Sequence, residues 1–123
     1  AVYGPRGADG YPAPIWDKQT GAIDHRVAEA WKPMDLSLYL RANWADVGPK
    51  LANRLHIFAG DDDNYFLNDA VELLEEFLDG TTDPAANADV RYGHNKGHGW
   101  WPYTFPELLT HIYDSMQAEN PNP

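Results

Sequence analysis

The chain of 123 residues contains no cysteine. That excludes disulfides, thiolate nucleophiles and cysteine-ligated zinc together, and it leaves the compartment open. Serine is nearly as scarce: Ser37 and Ser115 stand alone, and neither has the flanking glycines that a strand-to-helix nucleophile elbow needs. Basic residues are few and scattered, nine Lys plus Arg against 19 Asp plus Glu, for a formal charge of −10. A phosphate backbone is repelled by such a chain, so no nucleic-acid partner is expected. No apolar run approaches the roughly 20 residues of a membrane helix, and nothing near Ala1 has a charged-then-apolar export pattern. No membrane partner is expected, and the piece reads as soluble. The lack of an initiating Met leads to the expectation that the native N-terminus lies elsewhere.

What is present is apolar and aromatic. Hydrophobic residues make up 43% and aromatics 13%, too much for a disordered chain, so a packed unit of about one domain is expected. From Ala1 to Gly21, glycines and prolines alternate with Tyr3, Tyr11, Ile15 and Trp16, which predicts a loop that packs its aromatics. Two amphipathic helices follow, capped by Asp24 and Asp35 and separated by Pro33, with Gly48-Pro49 expected to stop the second.

Arg54–Gly60 is a short apolar run whose apolar residues fall on both parities, as in a strand buried on both faces. Leu67, Ala70, Val71, Leu74, Phe77 and Leu78 form the stripe of a strong helix that Gly80 ends. Asp89–Tyr92 reads as a second strand, so the unit is strand, helix, strand, which normally means parallel pairing. Thr104-Phe105-Pro106-Glu107 is a capping box ahead of a final helix, beyond which lies a Pro/Asn tail. Two parallel strands leave two unpaired edges, so further strands are expected from upstream in the same gene or from a partner chain.

In parallel sheets, chemistry gathers where strands end and loops begin. The two loops here are Gly60-Asp61-Asp62-Asp63-Asn64-Tyr65 and Gly93-His94-Asn95-Lys96-Gly97-His98-Gly99-Trp100-Trp101-Pro102. Adjacent parallel strands deliver both to one end of the sheet, where an Asp can fix the tautomer of a His and leave its other nitrogen to accept a proton. Each loop offers more than one member for such a pair, Asp61 or Asp63 from the first and His94 or His98 from the second. Asp63 also suits the N-cap of the following helix. His94-x-x-x-His98 has the spacing of a metal pair on a helix, but Gly97 and Gly99 oppose a helix there and no third ligand is at hand, so no metal is expected. No cofactor is expected either. Trp100 and Trp101 are candidates to line a substrate pocket, core packing being the commoner fate of such residues.

These segments resemble a known family. Gly60-Asp61-Asp62-Asp63-Asn64-Tyr65-Phe66-Leu67-Asn68-Asp69-Ala70-Val71 resembles the Gly-x-x-Asp segment that carries the triad acid in esterases of the α/β-hydrolase superfamily, and Gly97-His98-Gly99-Trp100 resembles their terminal histidine loop. Arg6–Asp17 resembles a segment between nucleophile and acid in a bacterial branch of these esterases. The order acid, then histidine, with the nucleophile earlier, is that of the superfamily. The resemblance implies the C-terminal portion of an α/β-hydrolase fold: a loop and helical segment over 1–50, then the last two parallel strands with their connecting and C-terminal helices over 51–123.

It further implies a serine-type carboxylic-ester hydrolase in which Asp63 is the triad acid and His98 the base. The substrate would be a small-molecule or polysaccharide-linked ester. The nucleophile and oxyanion hole have no counterpart in the chain, so the resemblance implies a missing N-terminal half or a partner chain, and no activity of this piece alone. Two other readings stand beside it: a binding module that stacks Trp16, Trp100 and Trp101 on sugars or aromatic ligands, and an assembly module completed through its open sheet edge.

Overall fold

The computed structural model describes residues 4–119, and shows a small α/β protein with four helices and a two-stranded parallel sheet. The helices are α1 (His25–Trp31), α2 (Leu36–Leu51), α3 (Leu67–Asp79) and α4 (Phe105–Glu119), and the strands are β1 (His56–Gly60) and β2 (Asp89–Gly93). A 3-10 turn, Lys32–Met34, joins α1 to α2. Tyr3 and the Pro/Asn tail lie outside the described residues.

The chain divides into two compact units. One comprises the chain up to Ala52 with Gly80–Ala86, the other Asn53–Asp79 with the chain from Asn87 on. The sequence places its boundary near residue 50. The short excursion Gly80–Ala86 joins the first unit because the indole N–H of Trp44 in α2 donates to the Pro84 carbonyl at 2.9 Å, and Ala86 is almost wholly buried.

In the first unit, both expected caps are present: Asp24 accepts from the amides of Arg26 and Val27, and Asp35 from that of Leu38. These bonds satisfy amides that have no partner inside a helix. Val27 on α1 is fully buried. Two expectations are corrected. Gly48-Pro49 does not stop α2, which runs through Pro49 to Leu51; the break lies instead at Asn43, whose backbone leaves the helical region (φ −125°, ψ 15°) while its side-chain amide donates to the Tyr39 carbonyl. Nor does the N-terminal loop pack its described aromatics, for Tyr11 is 73% and Trp16 52% exposed. It is held by backbone instead: bridges pair Arg6 with Pro12 and Trp16 with Ile23, and the Asp17 carboxylate accepts from the amides of Gln19 and Thr20.

In the second unit, β1 and β2 pair in parallel with His56 opposite Asp89 and Gly60 opposite Gly93. Residues alternate between faces, so Ile57, Ala59, Val90 and Tyr92 share one face and His56, Phe58, Asp89 and Arg91 the other. The first face meets α3, where the Tyr92 hydroxyl donates to Glu75 at 2.8 Å and Leu78 is buried. The second carries an aromatic cluster: Phe58 meets Trp101 and Tyr103 edge-on, Tyr103 stacks on His111 of α4, and the Arg91 guanidinium lies over both Phe58 and Tyr103.

The expectation that β1 is buried on both faces is met only at its end. Ala59 and Gly60 are buried, while Ile57 and Phe58 are half-buried and His56 is exposed. Two strands and two helices leave too little material to cover both faces at the start of the strand. At the head of α4, Glu107 accepts from both the amide and the hydroxyl of Thr104, the glutamate half of the capping box.

Candidate functional site

Gly60 and Gly93 end the two strands side by side, so the loops that follow start from one place. They are laced together by backbone: the Asp61 amide donates to the Gly93 carbonyl at 3.2 Å, and the Asp62 amide to the Lys96 carbonyl at 3.0 Å. The approach is close enough that a Cβ on Gly60 would collide with the carbonyl oxygens of Lys96 and Gly97. Glycine is therefore required at position 60 for contact rather than for turn geometry.

Two Asp–His pairs result. The Asp63 carboxylate Oδ2 lies 3.1 Å from His98 Nδ1, and the Asp61 carboxylate Oδ2 lies 3.0 Å from His94 Nδ1. The sequence treats Asp61 and His94 as competitors for one pair, whereas the structure uses all four residues in two. Carboxylates two positions apart on one loop reach imidazoles four positions apart on the other.

Burial separates the pairs. The Asp63 side chain is only 4% exposed and that of His98 is 49% exposed, against 36% and 85% for Asp61 and His94. A shielded carboxylate behind a half-exposed ring is the arrangement in which the acid orients the imidazole and the ring's far nitrogen faces incoming groups. Among the described residues, His98 Nε2 has no hydrogen-bond partner. With Nδ1–H given to Asp63, the neutral ring presents a lone pair at Nε2, where a base must carry one.

Asp63 does not cap α3. Its other oxygen accepts from the Tyr65 amide at 2.7 Å, its carbonyl accepts from Phe66, and Phe66 adopts a left-handed backbone (φ 58°) before α3 begins at Leu67. A bulky residue in that region is strained, and it turns the chain away from Asp63 before the helix starts. Burial pushes the Asp63 carboxyl up, but the Tyr65 amide and the His98 ring outweigh it and hold it below the ordinary 3.8. At Asp61 the His94 ring leads, with the Asn95 amide, and also holds the carboxyl below 3.8.

The site contains a contact that the sequence reading passes over: the Tyr65 ring meets the His98 ring edge-on, with centroids 4.7 Å apart. The signal was there in Asp63-Asn64-Tyr65, since an Asp that binds the amide two residues on turns that residue back beside its own carboxylate. The Trp100 ring sits against Gly93, and Trp101 belongs to the Phe58 cluster. Each serine hydroxyl has a partner within its own helix, Ser37 with the Arg41 side chain and Ser115 with the His111 carbonyl. Among the described residues no group of three or more His, Asp or Glu is arranged to hold a metal ion. No protein-family model, curated protein or solved structure matches the chain.

Proposed function

We propose that this chain is the C-terminal part of a serine-type carboxylic-ester hydrolase of the α/β-hydrolase class, contributing the acid and the base of its triad. The observation that carries this reading is the contact between the buried Asp63 carboxylate and His98 Nδ1, at the carboxyl ends of adjacent parallel strands. In this reading His98 Nε2 takes the proton of a serine hydroxyl as its oxygen attacks the ester carbonyl. The Asp63 carboxylate stabilises the imidazolium, and His98 returns the proton to the departing alcohol. Water then repeats the sequence on the acyl-enzyme and releases the acid.

The serine and the oxyanion hole are supplied by an upstream half or a partner chain. Two features support such a completion. The sheet has only two strands among the described residues, and α4 carries an exposed apolar stripe of Phe105, Leu109, Ile112, Tyr113 and Met116. The substrate class is a small-molecule or polysaccharide-linked carboxylic ester.

The test uses the longest polypeptide that the gene encodes, together with any chain that co-purifies with it. A fluorophosphonate is expected to label one serine outside residues 1–123, and an activated ester such as p-nitrophenyl acetate to be hydrolysed. Asp63→Asn is expected to lower kcat by roughly 10⁴-fold, because the wrong tautomer is then held. A full-length product that neither labels nor turns over esters overturns the reading.

A further inference from the structure

The Asp61 carboxylate is bound on both oxygens by consecutive residues of the histidine loop: Oδ1 accepts from the Asn95 amide at 2.7 Å, and Oδ2 lies 3.0 Å from His94 Nδ1. Those residues are the two central positions of a tight turn, closed by the Lys96 amide donating to the Gly93 carbonyl at 3.1 Å. Asn95 holds the left-handed conformation (φ 54°) that such a turn needs and that asparagine tolerates best among side-chain-bearing residues. One carboxylate therefore fixes the turn from which the chain runs through Lys96 and Gly97 to His98. Gly97 gives the segment little stiffness of its own. The remaining ties to the opposite loop are the backbone bonds of Asp61 and Asp62, the edge-on contact of the Tyr65 and His98 rings and the Asp63–His98 contact itself.

Resting on the hydrolase reading above, we propose that Asp61 is a positioning residue for His98: by holding His94 and Asn95 it sets the distance and ring orientation at which His98 meets Asp63. Asp61 touches neither His98 nor anything His98 would act upon; it works through the turn. The duplicated Asp–His pattern thus divides labour. The exposed pair anchors the loop, and the pair with the buried carboxylate carries the chemistry.

The test is ¹⁵N NMR of the imidazole of His98 in the longest polypeptide that the gene encodes, with any chain that co-purifies, unmodified and with Asp61→Ala, Asp61→Asn and the control Asp62→Ala. A ring that gives Nδ1–H to Asp63 shows two well-separated nitrogen resonances, and a released ring averages its tautomers so that the two converge. The separation is expected to collapse in Asp61→Ala and to fall part-way in Asp61→Asn, whose neutral oxygen still accepts from Asn95. Asp62→Ala, which keeps its backbone bond, is expected to match the unmodified chain. Backbone amide shifts of β1 and β2 that stay in place separate loop release from unfolding.

Unchanged His98 resonances in Asp61→Ala overturn the proposal. If that variant fails to fold, an Asp61→Asn variant indistinguishable from the unmodified chain overturns it. Because this readout needs no substrate, a failed esterase test leaves the positioning result standing as a loop anchor, and a failed positioning result leaves the esterase reading untouched.

Discussion

Among the described residues Asp63 is the one buried charged side chain, and the group that meets its carboxylate is the half-exposed ring of His98, 35 positions further along the chain. A carboxylate taken out of water without a partner is costly, so the contact stabilises the loop pair as well as orienting a ring. Both functions depend on the acid staying ionised.

The first prediction follows from acidity. Asp61 and Asp63 are held below 3.8 by the contacts described above, and Asp89 is held there chiefly by the Arg91 guanidinium and then by His56. A carboxyl whose folded value is depressed adds stability that is fully present above its unfolded value, and that is lost as pH falls through the folded one. Urea midpoints are therefore expected to hold steady down to pH 3.8 and to drop below it. In Asp63→Asn the drop is expected to be shallower, and an equally steep one contradicts the assignment.

At the alkaline end Tyr92 sets the sign. Burial and the bond to Glu75 raise its hydroxyl well above the ordinary 10.0. A folded value raised above the unfolded one gives stability that is present below 10.0 and lost as pH rises beyond it. Thermal melts above that pH are expected to fall with pH in the unmodified chain and to fall less steeply in Tyr92→Phe.

Leu78, 2% exposed, is the best-buried side chain of α3. Leu78→Ala is expected to cost about 2–5 kcal/mol in urea unfolding with an unchanged slope, since it opens a cavity beneath α3 without changing the unfolded chain's surface much.

Gly60→Ala tests the lacing of the loops. The added methyl has nowhere to go unless the Lys96–Gly97 backbone retreats. The expected cost is of the order of 1–3 kcal/mol, with loss of the Asp63–His98 contact, read as convergence of the His98 nitrogen resonances. A folded variant with His98 unaltered contradicts the close approach.

Much of this was legible because the signals were local. Caps at Asp24 and Asp35, the stripe from Leu67 to Leu78, the apolar run from Arg54 to Gly60 and the short stretch Asp89–Tyr92 each name their element without tertiary context, and parallel pairing then brings the two loops together. What the sequence does not carry is competition between neighbours. Pro49 reads as a stop, yet α2 runs through it to Leu51, and the break falls at Asn43, whose side-chain amide donates to the Tyr39 carbonyl. Trp16 and Tyr11 read as packing residues, but the Asp17 turn and the backbone bridges hold their loop without them. Asp61 and Asp63 read as rivals because spacing alone does not show that carboxylates two positions apart on one loop can match imidazoles four positions apart on the other.

Every rung of the β1–β2 ladder joins residues 33 positions apart, as His56 and Asp89 are. A parallel pair has no hairpin from which to start, so the whole intervening segment, α3 included, must close on itself before the first rung is rewarded. Helices form within microseconds, whereas such non-local pairing is slow. The Asp63–His98 contact hangs from the far end of that ladder and is assembled only with it. A nascent or loosened chain therefore holds its histidine without its buried carboxylate, which makes the pair a reporter of finished folding: it is absent from every species in which the strands have not yet met.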